Sequence, residues 1–206
     1  MSNGFFIAIE GGEGAGKSTH SKRLAQYLES IGHEVVLTRE PGGTPTAEKI
    51  RNILLDPEIV DMPDHTEALL FAASRADHAA NLIRPALERG ATVICDRYFD
   101  SSVAYQGYSR GLGADKIRDL SLWATDNLIP DFTIYLDVPA EAAQQRMDGT
   151  DRMEIQSRDF HEAVHQAFRE IAAASKFPNV LIDATAPKDE VAAAVQAAIV
   201  GVLANR

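Results

Sequence analysis

Short apolar runs alternate along the chain with longer stretches in which apolar residues recur every three or four positions. The runs are FFIAI (5–9), EVVLT (34–38), TVIC (92–95), FTIYLDV (132–138) and NVLID (179–183). They are apolar on nearly every position, as strands covered on both faces require. The helical patterns lie near 17–31, 44–55, 64–89, 114–128, 157–175 and 187–203. Strands alternating with helices predict an α/β fold: a five-stranded parallel sheet with helices on both faces and right-handed crossovers. No repeat or low-complexity linker divides the chain, so residues 1–206 read as a single domain. The polar segment 147–156 (MDGTDRMEIQ), between two helical patterns, reads as a short mobile lid. The last helix, VAAAVQAAIVGVL, is apolar enough to pack on the sheet or to meet a second subunit.

The first strand runs into GGEGAGKST: Gly11, Gly12, Glu13, Gly14, Ala15, Gly16, Lys17, Ser18 and Thr19. This is G-x-x-x-x-G-K-[ST] in its required context, after a strand and opening a helix. Glycines let the loop curl so that successive N–H groups point at anionic oxygens. The helix adds its positive end, equivalent to roughly half a charge. Lys17 reaches the outer phosphates, and Ser18 offers a hydroxyl to Mg²⁺. The segment therefore predicts a P-loop NTPase fold holding the phosphates of a nucleoside triphosphate. The bland alternative, a glycine turn, explains neither Lys17 nor Ser18.

The third strand ends in Asp96-Arg97. An Asp there can join Ser18 at a metal, and an Arg beside it can clamp a second anion bidentately. GTPase signatures (D-x-x-G, N-K-x-D) are absent. A small-molecule kinase fits better than a switch or a motor. Phe71 and Arg75, four apart on one helix, share a face and could stack on a base and bond its edge.

Charge changes the picture by exclusion. Twenty Lys and Arg against 30 Asp and Glu give a net charge of −10, unlike a non-specific nucleic-acid or anionic-membrane binder. A single cysteine, Cys95, rules out an internal disulfide framework and a cysteine-rich zinc site. Neither a signal-peptide pattern nor a membrane-length apolar run is present, so a cytoplasmic setting is expected.

GGEGAGKST, TREPGGT (38–44), LFAASRADH (70–78) and DRYFDSSVAYQG (96–107) together resemble the successive signatures of the bacterial thymidylate kinases, in order and spacing. LDV (136–138), DRME (151–154) and IDAT (182–185) extend the likeness over essentially the whole chain. The resemblance implies transfer of the ATP γ-phosphoryl group to dTMP, a step toward dTTP, by a homodimer. It implies that Glu13 faces the acceptor sugar, that Phe71 and Arg75 meet thymine, and that Arg97 clamps the acceptor phosphate. Arg39 and Arg51 resemble further anion contacts, Ser102 and Gln106 base-edge contacts, and Tyr105 the ring that crowds the sugar 2′ position. The P-loop carries no basic residue before Lys17, so the remaining catalytic cation is expected from the lid. Arg152 is the first choice, with Arg146 and Arg158 as alternatives. The isomer of Glu40–Pro41 is not decided by sequence.

One rival motif needs weighing. His161-Glu162-Ala163-Val164-His165 fits H-E-x-x-H, the zinc-protease pattern. The helix's apolar stripe is Phe160, Val164, Ala167, Phe168 and Ile171; both histidines lie beside it, and no persuasive third ligand follows. A half-exposed helix face is the expectation. A P-loop regulatory module would not need Phe71, Arg75, Arg97 and Tyr105 together. A kinase for another nucleotide stays open on physical grounds, because one methyl group is worth only about 1–3 kcal/mol of discrimination.

Overall fold

The computed structural model describes residues 4–146, 149 and 151–204. Of the expected lid, residues 147, 148 and 150 lie outside the described residues. Five strands, β1 (Phe5–Glu10), β2 (Val35–Arg39), β3 (Thr92–Asp96), β4 (Phe132–Asp137) and β5 (Asn179–Asp183), form one parallel sheet in the order β2-β3-β1-β4-β5. All six residues of β1 are buried because it lies at the centre, whereas the edge strands β2 and β5 are partly exposed.

Alternation along the strands divides the core into two layers. Phe5, Ile7, Ile9, Ile94 and Ile134 pack with Leu24 and Leu28 of α1 (Lys17–Ser30) and with Val191, Val195 and Ile199 of α9 (Lys188–Leu203). On the other face, Phe6, Ala8, Val93 and Tyr135 pack beneath the remaining helices. These include α3 (Asp64–His78), α6 (Ala114–Ala124) and α8 (Arg158–Ala174). Local signals set the helix starts. Thr44 Oγ1 accepts from Ala47 N at α2 (Pro45–Leu55), and Ser157 Oγ accepts from Phe160 N at α8.

The structure departs from the expected elements in three places. The single helix expected over 64–89 is α3, a π-helical turn (Ala79–Ile83) and α4 (Arg84–Glu88). Pro85 cannot donate to the preceding turn, and the helix widens just ahead of it. The segment 99–109 is helical too, as α5 (Phe99–Ser102) and a π-helical stretch (Val103–Ser109). Residues 99–107 are all buried, so the polar face that betrays a helix in sequence is missing. A one-turn helix, α7 (Ala140–Gln144), follows β4.

Candidate active site

β1 ends at the sheet centre, and the P-loop turns over its C-terminal end into α1. Gly14 (φ 69°) and Gly16 (φ 86°) take left-handed backbone that other residues resist. A Cβ on Gly14 would also come within 2.4 Å of Ala143 O, so the loop lies directly on α7. Lys17 is buried, and its Nζ donates to Gly12 O (2.6 Å). Burial, then the charge of Arg97, pulls the Lys17 pKa down to about 8 against the opposing Glu13, Asp96 and Glu10. Ser18 Oγ donates to Asp96 Oδ2 (2.5 Å), joining the first turn of α1 to the end of β3. These two hard oxygen donors suit Mg²⁺, which takes one or two protein ligands and completes its shell with phosphate and water.

Arg97 stands where β3 leaves the sheet, at φ 68°, an uncommon conformation for a non-glycine residue. Strain of this kind persists only when the surroundings over-determine it. Arg97 N donates to Ile9 O (2.9 Å), and Nη1 donates to Gly11 O (2.9 Å) and Ser101 Oγ (3.2 Å). Nη2 pairs with Glu13 Oε1 (2.7 Å), and the guanidinium lies 5.2 Å from the centroid of the Tyr105 ring. Tyr105 Oη also donates to Glu13 Oε1 (3.2 Å). Burial alone would raise the Glu13 pKa, but Arg97 and then Lys17 outweigh it and hold the value at about 2. The carboxylate in the P-loop is therefore neutralised by the arginine that follows β3.

Two cavities meet here. The larger, about 820 Å³, runs along the P-loop from Glu13 to Thr19, past Arg39, Asp96 and Arg146, and on to His20, Lys188 and Val191. The narrower is lined by Phe71, Arg75, Ser102, Tyr105 and Gln106, with Leu55 and Met153 closing its side. Glu13, Arg51 and Arg97 line both. Arg51 Nη1 donates to Pro41 O (2.8 Å); burial first, then Arg39, lowers its pKa. Arg39 is exposed and pairs with Glu48 (3.1 Å). The Glu40–Pro41 bond is cis.

Most expected site residues are thus brought together, but Arg152 is not. It is buried, its Nη1 pairing with Glu67 Oε2 (2.6 Å) and its Nε donating to Leu54 O (2.8 Å). That pairing turns the guanidinium away from the P-loop cavity. Arg146 lines that cavity, whereas Arg158 lies apart from it, exposed and 3.8 Å from Glu141. Gln106, expected at the base edge, donates through Nε2 to Glu67 Oε1 (2.9 Å) while still lining the narrower cavity. The H-E-x-x-H helix holds its histidines otherwise: His165 Nε2 meets Asp137 Oδ1 (2.8 Å) and His161 Nε2 meets Glu154 O (3.1 Å). Neither belongs to the group of three potential metal donors found among the described residues, Glu40, His78 and Cys95.

Three buried groups escaped the sequence reading. Glu10 accepts from Tyr98 N (2.8 Å), Ser101 N (3.2 Å) and Ser101 Oγ (2.6 Å), tying β1 to the segment after β3. Glu67 receives Gln106, Arg110 and Arg152. His78 contacts Glu40. A signal existed for the last two: Glu67, Phe71, Arg75 and His78 fall on one stripe of α3 by their spacing.

A triphosphate cradle beside a Ser–Asp pair, with an arginine at the junction of two cavities, defines a P-loop kinase that works between two anionic ligands. The sequence profile of the thymidylate kinase family matches residues 9–195. The chain is 51% identical to a thymidylate kinase of Clavibacter sepedonicus over 94% of this chain and 93% of the relative. It is 48% identical to one of Bifidobacterium longum (96% and 98%) and 49% identical to one of Pseudomonas fluorescens (94% and 94%). The chain belongs to the thymidylate kinase family and is an enzyme of nucleotide phosphorylation.

Proposed function

We propose that the chain transfers the γ-phosphoryl group of ATP to dTMP, giving dTDP and ADP, with the donor in the larger cavity and the acceptor in the narrower one. The observation that carries this reading is the position of Arg97 and Glu13, which line both cavities. The acceptor phosphate oxygen is already ionised at neutral pH, so positioning and charge neutralisation are the main tasks. Glu13, held at about 2, is too weak a base to take a proton. It accepts from the acceptor sugar and orients Arg97. Arg97 clamps the acceptor phosphate, with Arg51 and Arg39 flanking it. Lys17, with its pKa at about 8, is still mostly protonated at neutral pH and holds the outer donor oxygens as a cation. Ser18 and Asp96 would hold Mg²⁺, which when bound screens the β- and γ-phosphate oxygens.

Phe71 offers a stacking face for the base, Arg75, Ser102 and Gln106 line its edge, and Tyr105 crowds the sugar. Arg146, rather than Arg152, supplies the cation from the lid side; its support is its place on the donor cavity. The chain acts as a single domain, with the 147–156 segment as a short lid beside the site. A homodimer is part of the proposal. Its support is the exposure of Ile53, Leu69 and Trp123 on α2, α3 and α6, of which α3 packs against both others. A cytoplasmic setting accords with a net charge of −10; among the described residues no helix is long and apolar enough to cross a membrane.

The test is coupled ADP release from ATP·Mg²⁺ across the nucleoside monophosphates. dTMP should be strongly preferred. Equal turnover of several monophosphates, or none of dTMP, overturns the substrate reading.

A further inference from the structure

Beside the narrower cavity runs a chain of buried polar side chains from Thr38 through His78 and Glu40 to Arg75; Glu40 and Arg75 line that cavity, and Glu40 lines the larger one as well. The chain ends at Arg75. Its Nε donates to Glu40 Oε2 (2.7 Å), Nη1 to Ser121 Oγ (3.1 Å), and Nη2 to Tyr98 O (3.3 Å) and Ser102 Oγ (3.1 Å). A guanidinium has five N–H donors. Four are engaged within the protein, leaving one N–H on Nη1. Such a group can serve a single acceptor oxygen, and only if the plane of the guanidinium is fixed.

Glu40 is what fixes it, and Glu40 is itself held from behind. Its Oε1 lies 3.0 Å from His78 Nδ1, and His78 Nε2 lies 2.7 Å from Thr38 Oγ1. A carboxylate oxygen only accepts, so Nδ1 is the donating nitrogen, and in the neutral ring the Thr38 hydroxyl donates to Nε2. His78 and Glu40 are buried. The loop after Pro41 closes on the ring: a Cβ at Gly43 would stand 2.6 Å from His78 Nε2 and 2.7 Å from Thr38 Oγ1. Glu40, His78 and Cys95 also lie close enough together to suggest a metal. Their chemistry argues otherwise, because both Glu40 oxygens are engaged and Cys95 Sγ donates to Arg97 O (2.9 Å).

We propose that His78 is a positioning residue for acceptor recognition: supported by Thr38, it holds Glu40, and through Glu40 it sets Arg75 to favour a base carbonyl over an amino group. The proposal rests on the acceptor base lying against Arg75. Loss of one hydrogen bond to a charged group in such a chain corresponds to roughly a tenfold change.

Steady-state kinetics with dTMP, dCMP and ATP tests it. His78→Leu should raise the KM for dTMP about tenfold, leave the KM for ATP within about twofold, and narrow the preference for dTMP over dCMP. His78→Asn, whose amide can replace Nδ1–H, should restore most of the loss. His78→Gln, whose amide reaches toward Thr38 instead, should not. Thr38→Val, which loses only a hydroxyl, should shift the KM for dTMP in the same sense by about threefold and answers the question if His78→Leu does not fold. Equal effects on both substrates, a fall in kcat alone, or equal behaviour of the Asn and Gln variants overturns the relay. Arg75→Lys separates this from the underlying reading. If it leaves the KM for dTMP unchanged, the base does not lie against Arg75 and both fall; if it raises that KM while the His78 and Thr38 variants do not, only the relay falls.

Discussion

Arg97 concentrates the chemistry of the site in one residue. Its left-handed backbone aims the guanidinium at the seam between the cavities, and Glu13 beside it compensates the charge. Arg97→Ala should cost on the order of 10²–10³ in turnover. Turnover within about threefold of the parent, measured by ADP release, would remove the clamp role. Glu10 makes a different prediction. Burial, then the charge of Asp100, pushes its pKa from 4.5 up to about 8; the Ser101 and Tyr98 hydrogen bonds and Arg97 oppose this without prevailing. A carboxyl group with a raised folded pKa contributes stability that is fully present below 4.5 and is lost as pH rises through about 8. Urea midpoints of the parent should therefore fall from about pH 5 to about pH 8 more than those of Glu10→Gln. Equal falls in both proteins would show that Glu10 does not carry the effect.

At the scale of elements, α3 does two jobs with one stripe. Arg75 lines the narrower cavity and His78 contacts Glu40 beside it, while Glu67 anchors Arg110 and Arg152. The described part of the 147–156 segment is thereby fastened to α3, and Arg152 N also donates to Leu55 O at the end of α2 (3.2 Å). Arg146 and Arg152 should then separate cleanly. Arg146→Ala should lower kcat by on the order of 10²-fold with little change in melting temperature. Arg152→Ala leaves buried Glu67 short of a partner and should destabilise the fold by about 3 kcal/mol, read from denaturant unfolding. The reverse pattern would return the catalytic role to Arg152.

For the whole molecule, the sheet order matters most. With β1 between β3 and β4, the P-loop, Asp96-Arg97 and the α7 turn all emerge at the same end. Ligands of open parallel sheets gather at that end, where the strand order reverses. Outside the site, Trp123 is 79% exposed and Leu69 58%, unusual values for large apolar side chains. If α3 and α6 pair with a second copy, Leu69→Glu with Trp123→Glu should shift the mass in solution from dimer to monomer, measured by light scattering. A parent protein that is already monomeric would dispose of the pairing.

The local code was legible without coordinates. The apolar runs marked all five strands; the three inner ones are buried on both faces and must be apolar, and the partly exposed edge strands β2 and β5 keep enough apolar positions to show. The P-loop was legible because glycines at fixed spacing before Lys17 and Ser18 serve a purely local geometry. Helix 99–109 was not, since residues 99–107 are buried on every side and their polar members point into the protein rather than marking a solvent face. Partners distant in sequence were equally hidden. Arg97 meets Glu13 across 84 positions, and Arg152 meets Glu67 across 85; periodicity says nothing of such pairs. The strands, most helices and the P-loop follow from contacts within a few residues or from burial pattern, and so can be read along the chain. Which charges neutralise one another, and which arginine faces the larger cavity, depend on the packing of distant segments, because a buried charge takes whatever partner that packing brings within reach.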